Sequence, residues 1–480
     1  MGTAIKANRG GGGKFEVTNG NIEEFFSNEN IEPNTFIEFN GEISYGNLQT
    51  LFYPNTYCSA MRIKKISSTK FVYYYGYSTS CQVGIMNYAN GTFTKEVEVA
   101  LSTTLSGSTY DINLEVVNST SFLIVTSVYY SDTVWHQVNA VRYVESSKSL
   151  IQDAHVDKTL INSLQGATSD AYNYILPLSN NKYAVVFPKR ELISSSYIGA
   201  MNYAIVTIGS DSSTGKLTLS VGTTTKLDAN REYFNALYKL PCLILSTTKF
   251  IFITYDGDYK LCAVFVTSNG TSLSIASKVQ LTNVSVESDE RVINAILVNS
   301  TKFIVSYWKK SSGLTSYPTQ GIIEGFKISG NSCTRIKKFL LNNSDVKLLN
   351  VSSEVKKNPG LILHKGYILY LFRARADSSD TQAYIHLIAI DQNVLDVITD
   401  EVIIANKYNG TFNCPMIEVD NSVTVFLPDT SNYPQSNKYL YARKINLSDI
   451  NIKKSDVCIH GLLTSKATTT KKGKVAILNE

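Results

Sequence analysis

Trp135 and Trp308 are the only tryptophans of the chain, and each has aromatic and charged neighbours. Tyr129, Tyr130 and Asp132 precede Trp135, while Lys309 and Tyr317 follow Trp308. Similar groups recur at Arg190, at Asp256 and Asp258, and at Arg373 and Arg375. Aromatic faces beside hydrogen-bonding charges suit a sugar, whose C–H face stacks while its hydroxyls need polar partners. Packing competes with this reading, above all for Tyr75, Tyr255 and Tyr307, which sit four or five residues after the first aromatic of an apolar run. Aromatic residues of that kind are more often core than site.

Catalytic constellations are weaker. The five histidines (136, 155, 364, 386 and 460) form neither HxH nor HExxH, and no GxSxG elbow is present. Glycosidases hold two carboxylates about 5–9.5 Å apart; Asp132, Asp256, Asp258 and Asp377 are candidates that only a fold could bring together. Asp256-Gly257-Asp258 is a fragment of a calcium loop and no more. No catalytic residue, metal ligand or cofactor is assigned. The seven cysteines include no CxxC pair and are odd in number, so buried, reduced thiols are expected rather than a disulfide framework or a zinc site.

Composition narrows the class. Of 480 residues 43% are hydrophobic and 18% charged, against about 25% charged in an average soluble chain. Thirty tyrosines accompany 20 phenylalanines. Disorder, collagen and coiled coil are excluded, since none combines so many β-branched and aromatic residues with so few charges. A net charge of +5 is too mild to argue for nucleic acid. No stretch approaches the ~18–20 apolar residues of a membrane span. Met1-Gly2-Thr3-Ala4-Ile5-Lys6 opens without an apolar signal region, so synthesis in a reducing cytosol is expected. Asn-x-Ser/Thr sequences, as at Asn90, Asn118, Asn269 and Asn299, are numerous enough to arise by chance.

The elements that must position these residues come from a repeat. A turn rich in Ser, Thr, Asn or Lys precedes an apolar, aromatic run beginning at Phe71, Phe122, Tyr183, Phe250, Phe303, Tyr367 and Val423. From 71 to 423 is 352 residues over six intervals, about 59 each, somewhat above the roughly 40–50 of common propeller repeats. A short apolar stretch precedes each turn, and a second hairpin follows each run. Asn90-Gly91 and Asn269-Gly270 are its clearest turns, read as type I′. Four antiparallel strands, A to D, in seven similar units predict an all-β, seven-bladed β-propeller, since radial stacking buries faces and protects edges. Two sandwiches or a solenoid fit the seven units less well. The tight A–B and C–D turns lie at one end of such a disc. The B–C and D–A connections lie at the other, with 308–321, 373–382 and 427–438 as the longest B–C stretches. Binding residues are expected at that elaborated end.

The ends differ from the blades. Residues 1–45 read as an N-terminal anchor or closure segment: four glycines (10–13), a short helix over 21–28 and a strand over 35–40 that either closes the ring or docks the disc onto an assembly. Residues 46–460 hold the propeller and 461–480 a closing strand or tail. The segment from Gly461-Leu462-Leu463-Thr464 to Lys474-Val475-Ala476-Ile477 resembles a Gly-Ile-Ala-x-Thr/Ser…Gly-x-x-Val-x-Val ending of virion proteins in tails and baseplates of phages and prophages of Gram-positive bacteria. Leu463 and Ala467 replace the usual Ala and Gly. The resemblance implies a virion protein made in the bacterial host cytoplasm. Its partners would be other virion proteins through the N-terminal segment, in a symmetric homo-oligomer, and a bacterial surface glycan or protein. A purely structural virion component and a glycan-cleaving propeller are the alternative functions. Nucleic acid and membrane are not expected partners.

Overall fold

The apolar runs that define the repeat are the buried B strands of seven antiparallel sheets. In blade 1 Phe71 to Tyr75 are buried without interruption, and in blade 4 Phe250 to Tyr255. A strand in the middle of a sheet packed on both faces cannot alternate, because both faces meet a neighbouring blade. The outermost strands alternate instead, as in Leu273–Gln280.

The computed structural model describes residues 22–25, 27, 29–33, 35–52, 60–77, 80–102, 108–130, 133–162, 172–179, 181–193, 196–228, 241–255, 260–282, 294–310, 318–341, 360–374, 383–392, 402–408, 414–428, 440–449, 451–454, 461–463, 467–468 and 472–477. Among these there is no helix, and the fold is a seven-bladed β-propeller. Strands A to D of blade 1 are Ala60–Lys65, Lys70–Tyr77, Ser80–Ala89 and Thr92–Ala100; those of blade 2 are Ser108–Asn118, Ser121–Tyr130, Thr133–Val144 and Ser149–Asn162. Blade 3 comprises Tyr174–Ser179, Lys182–Ile193, Ser196–Ser210 and a broken D strand, Leu217–Val221 with Thr225–Lys226. Blades 4, 5 and 6 are Cys242–Ser246 to Leu273–Gln280, Asn294–Asn299 to Ser332–Leu341, and Gly360–His364 to Val402–Tyr408. Blade 7 takes Met416–Val419, Ser422–Pro428 and Leu440–Leu447 from one end of the chain and its D strand, Ile43–Phe52, from the other. That strand closes the ring.

The core lies in the seams. Phe303, Val305, Tyr307, Ile251, Ile253 and Tyr255 form one cluster between blades 4 and 5, and Tyr75 lies in another that joins blades 1, 6 and 7. The packing role expected for Tyr75, Tyr255 and Tyr307 is met: all three are buried. Each such aromatic contributes about 1.5–3 kcal/mol by burial.

Turn chemistry explains the Asn-x-Thr sequences. Asn118 Oδ1 accepts the Thr120 N–H at 2.9 Å, and Asn299 Oδ1 the Thr301 N–H at 2.9 Å, closing A–B turns. Asn90 (φ 52°) and Gly91 (φ 79°) form the expected type I′ turn. Asn269-Gly270 does not. Only Gly270 has positive φ, because the Asn269 side chain takes the Thr271 and Ser272 N–H groups and fixes a wider turn. In blades 1, 4 and 5 the lysine before the first aromatic reaches the C–D turn of the next blade: Lys70 Nζ to Glu145 at 2.8 Å, Lys249 to the Gly330 carbonyl and Lys302 to the Gln392 carbonyl.

An eighth sheet of five strands holds the termini, in the order Ile22–Phe25, Gly473–Ile477, Gly461–Leu463, Phe36–Asn40 and Asn451–Lys454. It grows from blade 7 where the other blades have a C–D turn. The blade 7 ladder continues through Ser448 N–H to the Glu42 carbonyl (3.0 Å) into the pairing of Asn40 with Asn451. Ile31, Ile37, Phe39 and Ala467 join the core cluster of blades 1, 6 and 7. The sheet therefore stands at the end of the disc that carries the tight turns. Two expectations are corrected. The helix expected over 21–28 is strand at Ile22–Phe25, paired with Gly473–Ile477, a partner that local propensity does not contain. The strand at 35–40 does not close the ring; it pairs with Asn451–Lys454 and Gly461–Leu463.

Candidate functional site

The B–C connections are longest in blades 5 to 7 (311–317, 375–382 and 429–439), whereas blades 1 to 3 join B to C across 78–79, 131–132 and 194–195. Paired strands run further than the composition suggested: Trp308 faces Gly321 and Lys309 faces Gln320 across the blade 5 ladder. Ladder pairing satisfies backbone groups that a loop would leave to solvent. Tyr129, Tyr130, Trp135, Arg190, Trp308, Lys309 and Arg373 accordingly lie on strands, near their loop ends. The side chains of Tyr130, Arg190, Trp308, Lys309 and Arg373 fall outside the described residues, as do Asp132, Asp256, Asp258, Tyr317 and Arg375 entirely.

Tyr129 and Trp135 are described, and both are half-buried. Tyr129 pairs with Val134 and Trp135 with Val128, so their side chains leave blade 2 on opposite faces. The structure does not bring them together.

It brings together polar groups that the repeat disguises. Strand C of blade 2 reads Trp135-His136-Gln137-Val138-Asn139, where strand C of blade 4 reads Cys262-Ala263-Val264-Phe265. His136, Gln137 and Asn139 are nonetheless buried. That local breach of an apolar pattern was visible in the sequence, and such breaches in a core tend to mark function.

Towards blade 3, a hydrogen-bond chain starts from Asp111 on strand A. Its carboxylate accepts from Arg62 Nη2 (3.3 Å), from Asn113 Nδ2 (3.3 Å) and from the Asn173 backbone N–H (3.1 Å). Asn113 Nδ2 also donates to Asn173 Oδ1 at 2.9 Å, which turns Asn173 Nδ2 onto Ser127 Oγ at 2.8 Å. Ser127 Oγ in turn lies 2.9 Å from His136 Nδ1. An acceptor-only carboxylate at the head fixes the amides of Asn113 and Asn173, so Ser127 Oγ accepts from Asn173 Nδ2 while it meets the imidazole at Nδ1. Burial lowers the His136 pKa to about 3, against the upward pull of the Asp111 charge, so the ring is neutral. It packs on Phe187 with ring centroids 4.7 Å apart. Arg62, Asp111 and Asn173 belong to blades 1, 2 and the approach to 3, and the chain ties these together beneath the loop end. Asp111→Ala is expected to lower stability by about 2 kcal/mol, the cost of leaving its donors unmatched, as a reduced urea midpoint at unchanged m. An unchanged midpoint would show that solvent meets those donors equally well.

Towards blade 1, Ser102 organises a second network. Its N–H donates to Gln152 Oε1 (2.8 Å), and its carbonyl accepts from Gln137 Nε2 (3.1 Å) and Gln152 Nε2 (3.2 Å). Gln152 Nε2 also donates to Asn139 Oδ1 at 2.8 Å. Thr126 meets the Tyr74 hydroxyl at 2.6 Å nearby. Ser127 and His136 resemble a nucleophile and its base only in contact; both are fully buried and bridged to amides. No group of three metal-ligating side chains occurs among the described residues.

No protein-family model matches the chain, and no curated protein matches it. Among solved structures it is similar to the core factor of S. cerevisiae (11% identity, 88% of this chain and 64% of that one, TM-score 0.44). It is likewise similar to Trypanosoma rangeli sialidase (11%, 74% and 56%, TM-score 0.37) and to an α-L-arabinofuranosidase of Fusarium graminearum (8%, 83% and 97%, TM-score 0.36). Likenesses at these scores carry nothing about chemistry.

Proposed function

We propose that the chain is a phage-type virion protein, a tail or baseplate appendage whose propeller recognises a host-surface glycan or protein at its loop end. One observation supports this reading most: the sheet of the termini grows from the tight-turn end of blade 7, while the aromatic and charged candidates lie towards the other end of the blades. An appendage needs that polarity, with an attachment surface on one side and a recognition surface on the other. The virion assignment rests on the ending from Gly461 to Ile477, two of whose strands, Gly461–Leu463 and Gly473–Ile477, build the terminal sheet. On this reading the terminal sheet meets other virion proteins in a symmetric assembly.

The full chain is expected to co-sediment with isolated Gram-positive cell walls. Trp135→Ala together with Trp308→Ala should weaken that binding at least tenfold at unchanged far-UV circular dichroism, since stacked aromatics dominate such contacts. Undiminished binding of a folded double variant would overturn the loop-end site. A chain that binds no wall preparation but joins virion assemblies would favour the purely structural reading.

A further inference from the structure

Asn90-Gly91-Thr92 and Asn269-Gly270-Thr271 are the same tripeptide, and both lie at C–D turns, in blades 1 and 4. An Asn-Gly bond is open to attack by the glycine nitrogen on the asparagine side-chain amide, because glycine has no side chain to shield that nitrogen or to restrict its approach. The two turns treat this chemistry in opposite ways. At 269 both reacting groups are held. Asn269 Oδ1 accepts from the Thr271 N–H (2.9 Å), the Thr271 hydroxyl (3.0 Å) and the Ser272 N–H (2.8 Å). The Gly270 N–H donates to Ser268 Oγ at 2.9 Å. Bonds to Oδ1 polarise the amide carbon, yet the nitrogen that would attack it is kept by Ser268.

At 90 neither group is held. Asn90 and Gly91 are exposed, and among the described residues the Asn90 amide has no hydrogen-bond partner. A Cβ built on Gly91 would meet nothing within 4 Å. The turn is closed behind by the pairing of Ala89 with Thr92. Rotation about the Asn90 Cα–C bond, which brings the Gly91 nitrogen onto Cγ, therefore breaks no side-chain contact. We propose that Asn90 is a spontaneous modification site of the folded chain, converted to aspartate and isoaspartate far faster than Asn269. The Gly91 nitrogen gives its proton to hydroxide and bonds to Asn90 Cγ; the Cγ–Nδ2 bond breaks, and ammonia leaves with a proton from water. Water then opens the cyclic imide. Breaking the bond from nitrogen to Cγ gives aspartate, and breaking the bond from nitrogen to the Asn90 backbone carbonyl carbon gives isoaspartate. Water is the co-reactant throughout. Either product adds a negative charge to the tight-turn end of the disc, and isoaspartate also lengthens the backbone of the turn. The site does not depend on the recognition function proposed above.

Peptide mapping by mass spectrometry of the full folded chain, kept in mildly alkaline buffer and sampled over days, tests this. Several hydrogen bonds must break before Asn269 can react, so the Asn90 peptide is expected to convert more than about tenfold faster than the Asn269 peptide. An isoaspartate methyltransferase with a labelled methyl donor should mark the product at 90. In urea the two sites should convert at similar rates, since their tripeptides are identical. Ser268→Ala, which frees the Gly270 N–H, should speed conversion at 269 severalfold and leave 90 unchanged, with thermal unfolding checking that the variant is folded. Equal rates at 90 and 269 in the folded chain would overturn the assignment, because the hydrogen bonds would then decide nothing. Conversion at 90 in urea but not in the fold would overturn it too: the type I′ turn itself would keep the nitrogen from Cγ.

Discussion

Stability of the folded chain is expected to fall by about 1.4 kcal/mol per pH unit as the pH drops from 6.5, through the single imidazole of His136. Its pKa is lowered to about 3 in the fold because it is fully enclosed, with the Asp111 charge only partly offsetting the burial. An exposed imidazole has a pKa near 6.5. Between those values the unfolded chain takes up a proton that the folded chain refuses, so the contribution is complete above about 6.5 and is lost as pH falls towards 3. The total loss by pH 3 is about 4–5 kcal/mol, a large share of an ordinary folding free energy. Carboxylates also titrate in acid. Asp153 sits below its ordinary range because, although burial opposes ionisation, Arg142 (2.6 Å) and the Leu217 N–H (2.8 Å) hold the charge. Such groups give up their contribution only below about pH 4. Burial holds the Glu324 carboxyl above its ordinary range, an effect of opposite sign, so the histidine is isolated by comparing variants in urea unfolding between pH 6.5 and 5. His136→Gln, which can still hydrogen-bond Ser127, should lose about 2 kcal/mol less than the parent across this window. Parallel slopes for the two would mean that His136 meets solvent.

The second large effect is expected at Gly84. Tyr73, Gly84 and Glu98 stand side by side on strands B, C and D of blade 1. The Tyr73 ring lies across the glycine, and its hydroxyl donates to Glu98 Oε2 at 2.6 Å on the far strand. A Cβ on residue 84 would fall 2.2 Å from Tyr73 Cζ and Oη. The ring has nowhere to go, since it is fully buried and stacks on Tyr75 with centroids 6.2 Å apart. Gly84→Ala should cost about 3 kcal/mol, the upper part of the range for overpacking a core. Tyr73→Phe should not relieve it, because Cζ remains; Tyr73→Leu should make the alanine nearly harmless. A double-mutant cycle on the urea midpoints reads the coupling. Additive effects of Gly84→Ala and Tyr73→Leu would mean that the ring does not cross the glycine.

Burial of the B strands was legible residue by residue, because Phe-Val-Tyr-Tyr-Tyr and Phe-Ile-Phe-Ile-Thr-Tyr leave no solvent-facing set of side chains. Lys70, Lys249 and Lys302, each just before a first aromatic, were visible as parts of turns, but their reach to the next blade was not, since the acceptor lies on a turn about 75–90 residues downstream. Tyr129 and Trp135 looked like one cluster because they are close in sequence. A strand-to-strand hairpin with period-two alternation sends them to opposite faces. Conversely His136, Gln137 and Asn139 attracted no chemical reading, since a lone histidine and two amides match no motif. They gain meaning from Ser102, Gln152 and Asn173, which approach them from other strands and connections.

The aromatic and charged residues that first suggested sugar recognition thus divide by cause. By itself the amino-acid sequence determined the number of blades and the central strand of each, because repetition and continuous apolarity are local properties of the chain. It also determined most of the A–B turns, through Asn, Ser and Thr side chains that bond two residues on. Tertiary structure alone decided how the ring closes, since Ile43–Phe52 finds Leu440–Leu447 nearly 400 residues away. It alone decided that both termini share one sheet on the tight-turn end. And it alone gathered Gln137, Asn139 and Gln152 around the Ser102 backbone, because an amide's orientation is set by what its neighbours offer it.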